Sequence, residues 1–415
     1  MQSPSSTTKE IVIRHRPLLW ATVARFAAVA LFFDALAPIL PQMAAGFGLS
    51  AGRFQAVLGV GFVLFAFSQI ASVPVIRYLG THRTSALTCV YLGIAAWLVC
   101  VARDATVFTF CFISMFAVNG IGSNATRVAL REMTNDVGYK RIFAWVSAGV
   151  EIKQITMPLI AGAIAGAFGW RWALMALVAP VVVAGVSIEV ALMAYRTRRC
   201  RFDGRHAQTP MRDSSASKRS GASPPWRTIV TSRAVMLPTL IAAAYQIAFA
   251  PLSAQLPFML THDAGFSPMG VGAALSGASA VLACGLGIAG RFAAHWSSAK
   301  LMAHGAALVG AGVLSMALTP WLGIYSALAG IVFVQAAFGF IEVPCAGDVM
   351  SASTTHRTEA SAMFGVVQPV VGGLAIAAAG MSNLPRVTTV TVLTLMSLTL
   401  IGTGLAVAQT QTTRR

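Results

Sequence analysis

The sequence predicts an all-α membrane protein of twelve transmembrane helices, arranged as two six-helix, pseudo-symmetric halves. Three observations predict it. Of 415 residues, 56% are hydrophobic and only 10% are charged, against about 25% charged in an average soluble domain. About twelve apolar runs are long enough to cross a bilayer, which takes roughly 20 residues. A single long polar stretch, Arg196–Thr228, divides those runs six and six.

The runs fall near 18–43, 53–78, 84–102, 106–128, 142–167, 171–195, 236–259, 269–291, 300–318, 321–345, 358–380 and 386–408. They define an N-terminal half over 1–195, a basic cytoplasmic linker over 196–235 and a C-terminal half over 236–415. The linker is rich in Arg, Ser and Pro and too polar to build a core of its own. The halves repeat one another. Leu40-Pro41-Gln42-Met43 is followed by Gly46-Phe47 and Ser50, and Leu256-Pro257-Phe258-Met259 by Gly265-Phe266-Ser267. Parallel halves related by an axis along the membrane normal account for such a repeat.

Charge sets the orientation. Of the 30 Lys and Arg, 23 lie in segments on one side of the membrane, among them ten between Arg196 and Arg233. Four lie on the other side (Arg53, Arg103, Arg171, Arg386) and three within spans (Arg25, Arg127, Lys153). Basic loops stay in the cytoplasm, so the expectation is a multi-pass protein of the bacterial inner membrane with both termini cytoplasmic. The net charge of +17 is then assigned to topology and anionic membrane lipids rather than to nucleic acid. The polar start, Met1–Arg16, lacks the pattern of a cleavable signal peptide. Six cysteines without a CxxC pair, and scattered His82, His295, His304 and His356, predict no disulfide framework and no metal site. No Ser-His-Asp constellation is present, so no enzyme is expected, and no Walker loop, so neither ATP nor another cofactor. A monomer is expected.

Several motifs carry a family resemblance. Phe33-Asp34-Ala35-Leu36-Ala37-Pro38-Ile39-Leu40-Pro41-Gln42-Met43 resembles the first-span signature of drug:proton antiporters of the major facilitator superfamily. Gln154-x-x-Met157-Pro158-x-x-Ala161-Gly162, then Gly169-Trp170-Arg171-Trp172, resembles the fifth-span antiporter motif and its following turn. Ala360-Ser361-Ala362-Met363-x-Gly365-x-x-Gln368 is similar to the eleventh span of the bicyclomycin-resistance (Bcr/CflA) type. Together these cover about 18–408. Two departures stand out. In the loop after span two, Arg77, ahead of Gly80 and Arg83, stands where the family carries an acid. In span four, Phe116 stands where the family carries Arg, ahead of Asn119-Gly120-Ile121-Gly122.

An ionisable group inside a span costs about 2.5–3.5 kcal/mol on insertion scales, which makes it a candidate for function. Asp34 is expected to be a proton carrier, a counter-ion for a cationic substrate, or a structural hydrogen-bonding partner. Glu151, Gln154 and Pro158 share one face of span five, and Glu151 is the second proton-coupling candidate. Lys153, on another face, is a candidate for binding a substrate carboxylate, pairing with Asp34 or making a structural bridge. Asn119, Gln246, Gln335, Gln368 and Glu342 complete the substrate-binding candidates, drawn from a polar set that also holds Asn124, Tyr245 and Gln255. Glu342 and Glu189 are expected to reach the membrane interface. Arg127 and Arg131 are read as basic anchors, with Arg127 the alternative stand-in for the missing Arg. Pro38, Pro41, Pro158 and Gly162 are read as helix-bending or close-packing residues of the conformational change, together with Arg77, Gly80 and Arg83 of the loop.

The resemblance implies a secondary transporter working by alternating access, with protons as partners. It implies efflux of a small molecule such as a drug, siderophore or other metabolite, and a place in multidrug resistance. Two alternatives stay open: a facilitated importer or uniporter, and a non-transporting membrane receptor.

Overall fold

The structure is a computed structural model that describes residues 16–133, 155–202, 226–293, 295–352 and 357–412. The described residues are helical almost throughout, and twelve helices carry the membrane-spanning apolar segments. They are α1 (Arg16–Ala35), α2 (Ala51–Leu79), α3 (Thr81–Val101), α4 (Ala105–Met133), α5 (Ile155–Phe168) and α6 (Trp170–Phe202). The second half holds α7 (Arg233–Phe258), α8 (Pro268–Phe292), α9 (Ser298–Ala317), α10 (Ile324–Ala352), α11 (Arg357–Met381) and α12 (Arg386–Thr412). Ten contain apolar windows long enough to cross a bilayer; the described apolar parts of α1 and α5, Pro17–Val29 and Ile155–Phe168, are shorter. Exposed Trp20 and Tyr78 mark one end of the bundle, and Trp172, Trp321 and Tyr325 the other. That is where amphipathic rings sit on an integral membrane protein.

The bundle has two ends. One carries the end of α6 and the start of α7 and is called the linker face. The other, the far face, carries the turns before α2, α6, α8 and α12. The first apolar run, read as one span, is broken in the structure: a 3₁₀ turn (Ala37–Ile39) separates α1 from a short helix, Leu40–Gly46. Pro38 and Pro41 are the cause. Each lacks the N–H that would continue the ladder, and each sits in the first turn of its own element, where that loss costs least. At the matching place in the second half, α7 runs through Pro257 and gives way to one π turn, Met259–Asp263. Helix α6 continues to Phe202, beyond the end of its apolar run.

The repeat is visible in backbone detail, and its register differs from that read in the sequence. Gly48 (φ 62°) and Gly265 (φ 69°) both turn in the left-handed region, where a side chain would be strained. Two residues later Ser50 and Ser267 cap α2 and α8, accepting from the N–H of Arg53 (3.3 Å) and Gly270 (3.2 Å). Gly48, not Gly46, is therefore the partner of Gly265. Inside the halves, Gly120 lets α4 lie against the Phe65 backbone of α2, and Gly339 does the same for α10 against Gly285 of α8.

Each half centres on its own apolar core, and that of the N half takes in Ala254, Phe258 and Ile376 of the other half. The halves meet closely through backbone: Gly52 against Gly380 and Gly59 against Gly373 join α2 to α11, and Gly162 and Pro158 against Pro268 and Gly272 join α5 to α8. All of these contacts lie in the far-face half of the helices. A side chain at Gly59 would stand 2.7 Å from the Ala377 nitrogen as well as against the Gly373 carbonyl. Overpacking of this kind costs about 1–3 kcal/mol. Gly59→Ile and Gly373→Ile should each destabilise the closed far face. The readout is maleimide labelling of Gln255→Cys, a site now 1% exposed, in an otherwise cysteine-free background. Labelling should rise about tenfold, the factor that 1.4 kcal/mol supplies.

Candidate functional site

Between the halves, at mid-depth, lies a cavity of about 530 Å³. Its two walls differ in chemistry. The N-half wall is apolar, with Leu36, Leu40, Leu58, Phe62, Phe65, Phe112 and Phe116, and Asn119 as its amide. The C-half wall presents Gln246, Ser253, Ser279, Gln335 and Gln368 among Phe249, Phe338 and Leu275.

The apolar wall follows from helical spacing on α4. Phe108, Phe112 and Phe116 recur every four residues and form a ladder: the first two rings stack with centroids 5.5 Å apart, and Phe116 meets Phe112 edge-on at 5.4 Å. Phe62 packs on Phe116 (5.4 Å) and Phe54 on Phe112 (5.5 Å). Phe54 also reaches Phe258 of the other half at 5.9 Å. Phe116, where the family resemblance expects Arg, is thus a buried rung of this ladder, 4% exposed.

The polar wall is a hydrogen-bonded chain. Gln246 Nε2 donates to Gln368 Oε1 (3.4 Å), and Gln368 Nε2 donates to Glu342 Oε1 (3.0 Å). Glu342 is read from the sequence both as a substrate-binding candidate and as a residue reaching the interface. The residue is half-buried: its Oε1 accepts from Gln368, one hydrogen bond back from the cavity wall, and its shielded Oε2 has no hydrogen-bond partner among the described residues. The turn of α10 carrying it faces α11 at mid-bundle, so the length of the apolar run misled. Ser253 Oγ and Gln335 Oε1 on the same wall are also shielded, without hydrogen-bond partners among the described residues. These are acceptors that a donor in the cavity would satisfy.

Of the other candidates, Asn119 lines the cavity with Gln246, Gln335 and Gln368. Pro158 lines it too, while Gly162 serves the α5–α8 contact. Pro38 and Pro41 are buried in and after the 3₁₀ turn. Asp34 falls in the last turn of α1, but its side chain lies outside the described residues, as do Glu151, Lys153 and Gln154 and the side chain of Arg131. Arg77 and Arg83 are exposed beside the turn at Gly80 (φ 81°), and neither makes an ion pair among the described residues. Other polar residues bridge helices instead of facing the cavity. Arg127 Nη2 donates to Gln69 Oε1 at 2.6 Å, Asn124 to Ser72 Oγ at 2.6 Å, and Tyr245 Oη to the Val334 carbonyl at 2.6 Å.

Sequence reasoning assigned no role to Arg25. It is 1% exposed in the heart of the N half, donates to Thr88 Oγ1 at 3.4 Å, and its Nε has no hydrogen-bond partner among the described residues. Arg25, like Asp34, is an ionisable residue within a span and carries the same insertion cost. Gly122 makes the space for it: a side chain there would strike Arg25 Nη2 and come within 2.9 Å of Thr88 Cβ.

Two pseudo-symmetric bundles around a central, amphipathic cavity closed on one side define a solute transporter of the alternating-access class, not an enzyme. The chain belongs to the Major Facilitator Superfamily, whose sequence model matches residues 22–380. It is therefore a multi-pass integral membrane protein and a secondary transporter. No curated protein sequence matches it closely enough to name a relative. Solved structures match its fold over nearly the whole chain. A bacterial homolog of the human lysosomal transporter Spinster, inward-facing and unoccupied, has a TM-score of 0.71 at 13% identity, covering 95% of each chain. A mutant form of the peptide transporter POT has 0.71 at 12%, covering 94% of each. A bacterial homologue of the iron transporter ferroportin, inward-facing, has 0.65 at 11%, covering 95% of this chain and 97% of that one.

Gly122→Ala should lower stability by about 1–3 kcal/mol through this clash, seen as a lower unfolding temperature in detergent. Gly277→Ala, which faces open space, should leave it unchanged or raise it.

Proposed function

We propose that this protein is a proton-coupled exporter of small amphipathic molecules that carry an apolar or aromatic body and a protonated amine. The observation that carries this reading is Glu342, half-buried with a shielded Oε2, at the end of the Gln246–Gln368–Glu342 chain, behind a cavity whose opposite wall is a ladder of phenylalanines. A carboxylate held in an apolar interior without a cation is very costly. Such a group either carries a proton or faces a cation. A substrate amine reaching the glutamine wall would displace the proton, and its apolar body would lie on Phe62, Phe112 and Phe116.

In the cycle we infer, the cavity opens at the linker face, in the cytoplasm, and loads substrate as a proton leaves. The halves then rock, the glycine contacts at the far face part, and substrate departs there as a proton returns. Asp34 and Glu151 are further proton carriers in this scheme. The export direction rests on the resemblance of 33–43 and 154–172 to drug:proton antiporters, and a role in drug resistance rests on it too. A second reading, a facilitated importer, draws support from Phe116 and Arg77, which replace charges that the antiporters carry. Uncoupler treatment of whole cells separates the two: it raises accumulation for the exporter, whereas for a uniporter it lowers the accumulation of a cationic amine, because the membrane potential that drew it in is lost, and leaves that of a neutral solute unchanged.

The direct test uses everted vesicles under an imposed proton gradient and a panel of aromatic amines. The wild type should release protons on addition of a transported amine. Glu342→Gln should abolish that release, and Gln368→Leu should reduce it about tenfold, the effect of about 1.4 kcal/mol. Undiminished release in Glu342→Gln would sink the assignment.

A further inference from the structure

A second cavity, of about 560 Å³, lies at the far face above the glycine contacts. It is separate from the central one. Both halves build it: Ser50–Gln55 at the start of α2 form one side, and the ends of α7 and α11 with the start of α12 form the other. Its polar side chains are Ser50, Gln55, Gln255, Asp263, Ser382, Arg386 and Thr389.

Three features mark it as a built site. First, Asp263 and Arg386 make an ion pair at its rim (Nη1 to Oδ1, 2.6 Å), with side chains 35% and 31% exposed. A pair this exposed contributes little net stability. It also leaves Asp263 Oδ2 and most of the five guanidinium N–H groups for a further partner. Second, Asp263 is presented by the π turn that ends α7, an irregularity that recurs at functional sites. Third, Gln255 is 1% exposed, lines the cavity, and has a buried Oε1 without a hydrogen-bond partner among the described residues. A buried amide oxygen left unpaired is destabilising until a donor reaches it.

We propose that this vestibule is a second binding site, for a small zwitterion that carries an amide, and that its occupation holds the far face shut. The ligand carboxylate meets Arg386, its ammonium meets Asp263, and its amide N–H supplies the donor that Gln255 lacks. Residues of α2 and of the C half must be together for the site to exist, and they are together only while Gly52 lies on Gly380. A ligand that binds one conformation alone shifts the population toward it. The vestibule ligand therefore acts from the far side as a brake on the transport cycle, without competing for the central cavity. This does not depend on the assignment of Glu342.

The probe is L-glutamine, titrated calorimetrically into the full-length protein in lipid nanodiscs. Millimolar binding is expected, weakened at least fivefold by Arg386→Gln and by Gln255→Leu. On the unaltered protein, propionamide, which keeps the amide and lacks both charges, should not bind detectably. Bound glutamine should also slow backbone hydrogen exchange at 49–56 and 378–386. No binding at tens of millimolar, leaving ordered water as the only partner of Gln255, overturns the proposal. So does equal binding of propionamide, or binding that leaves exchange at those two segments unchanged.

Discussion

The structure depends on how closely α2 approaches α11, and α5 approaches α8. Inside a lipid phase, helices gain nothing by hiding apolar surface from one another, because the lipid is as apolar as they are. What remains is dispersion and backbone contact, and both need short distances. Glycines at 52, 59, 373 and 380, and at 162 and 272, supply those distances by leaving carbonyl and backbone atoms uncovered. The contacts sit in the far half of the bundle. They close that face, and they leave the central cavity at mid-depth and the vestibule above them.

The pseudo-symmetry of the halves makes their chemical difference informative. Helices α4 and α10 are both 29 residues long, and Gly120 and Gly339 occupy equivalent packing positions on them. Counting back four residues from each glycine gives Phe116 on α4 and Gln335 on α10. Both face the cavity. One fold, used twice, thus offers a solute an aromatic wall and an amide wall. A solute with two chemically distinct ends has one orientation in which both are satisfied. Burial of a polar end against the Phe ladder would leave it unpaired, at a cost of about 1–3 kcal/mol.

The charges Arg25 and Glu342, one buried and one half-buried, have different settings. Arg25 lies within the N half, away from the cavity, with Thr88 as a hydrogen-bond partner and Gly122 making room. Glu342 lies one residue's reach from the cavity. The first shapes the packing of α1 against α3 and α4. The second is placed to respond to what the cavity contains.

Membrane character, number of spans, division into halves and the repeated Leu-Pro motif were legible in the amino-acid sequence. They are properties of composition and of segment length, which a bilayer reads one helix at a time. The breaks at Pro38 and Pro41 were legible as bends but not as a 3₁₀ turn. Which polar residues line the cavity was not legible. Asn124 and Asn119 lie five residues apart on α4, yet one bridges to Ser72 and the other faces the solute space, because only the packing of neighbouring helices decides which face is covered. Glu342 looked interfacial for the same reason: position along a helix gives depth, and burial comes from what lies across it. The sequence alone determined that this chain crosses the membrane many times; the tertiary structure decided where two halves touch, and therefore where a solute fits, because contact between helices is a property of pairs of faces and not of any single run.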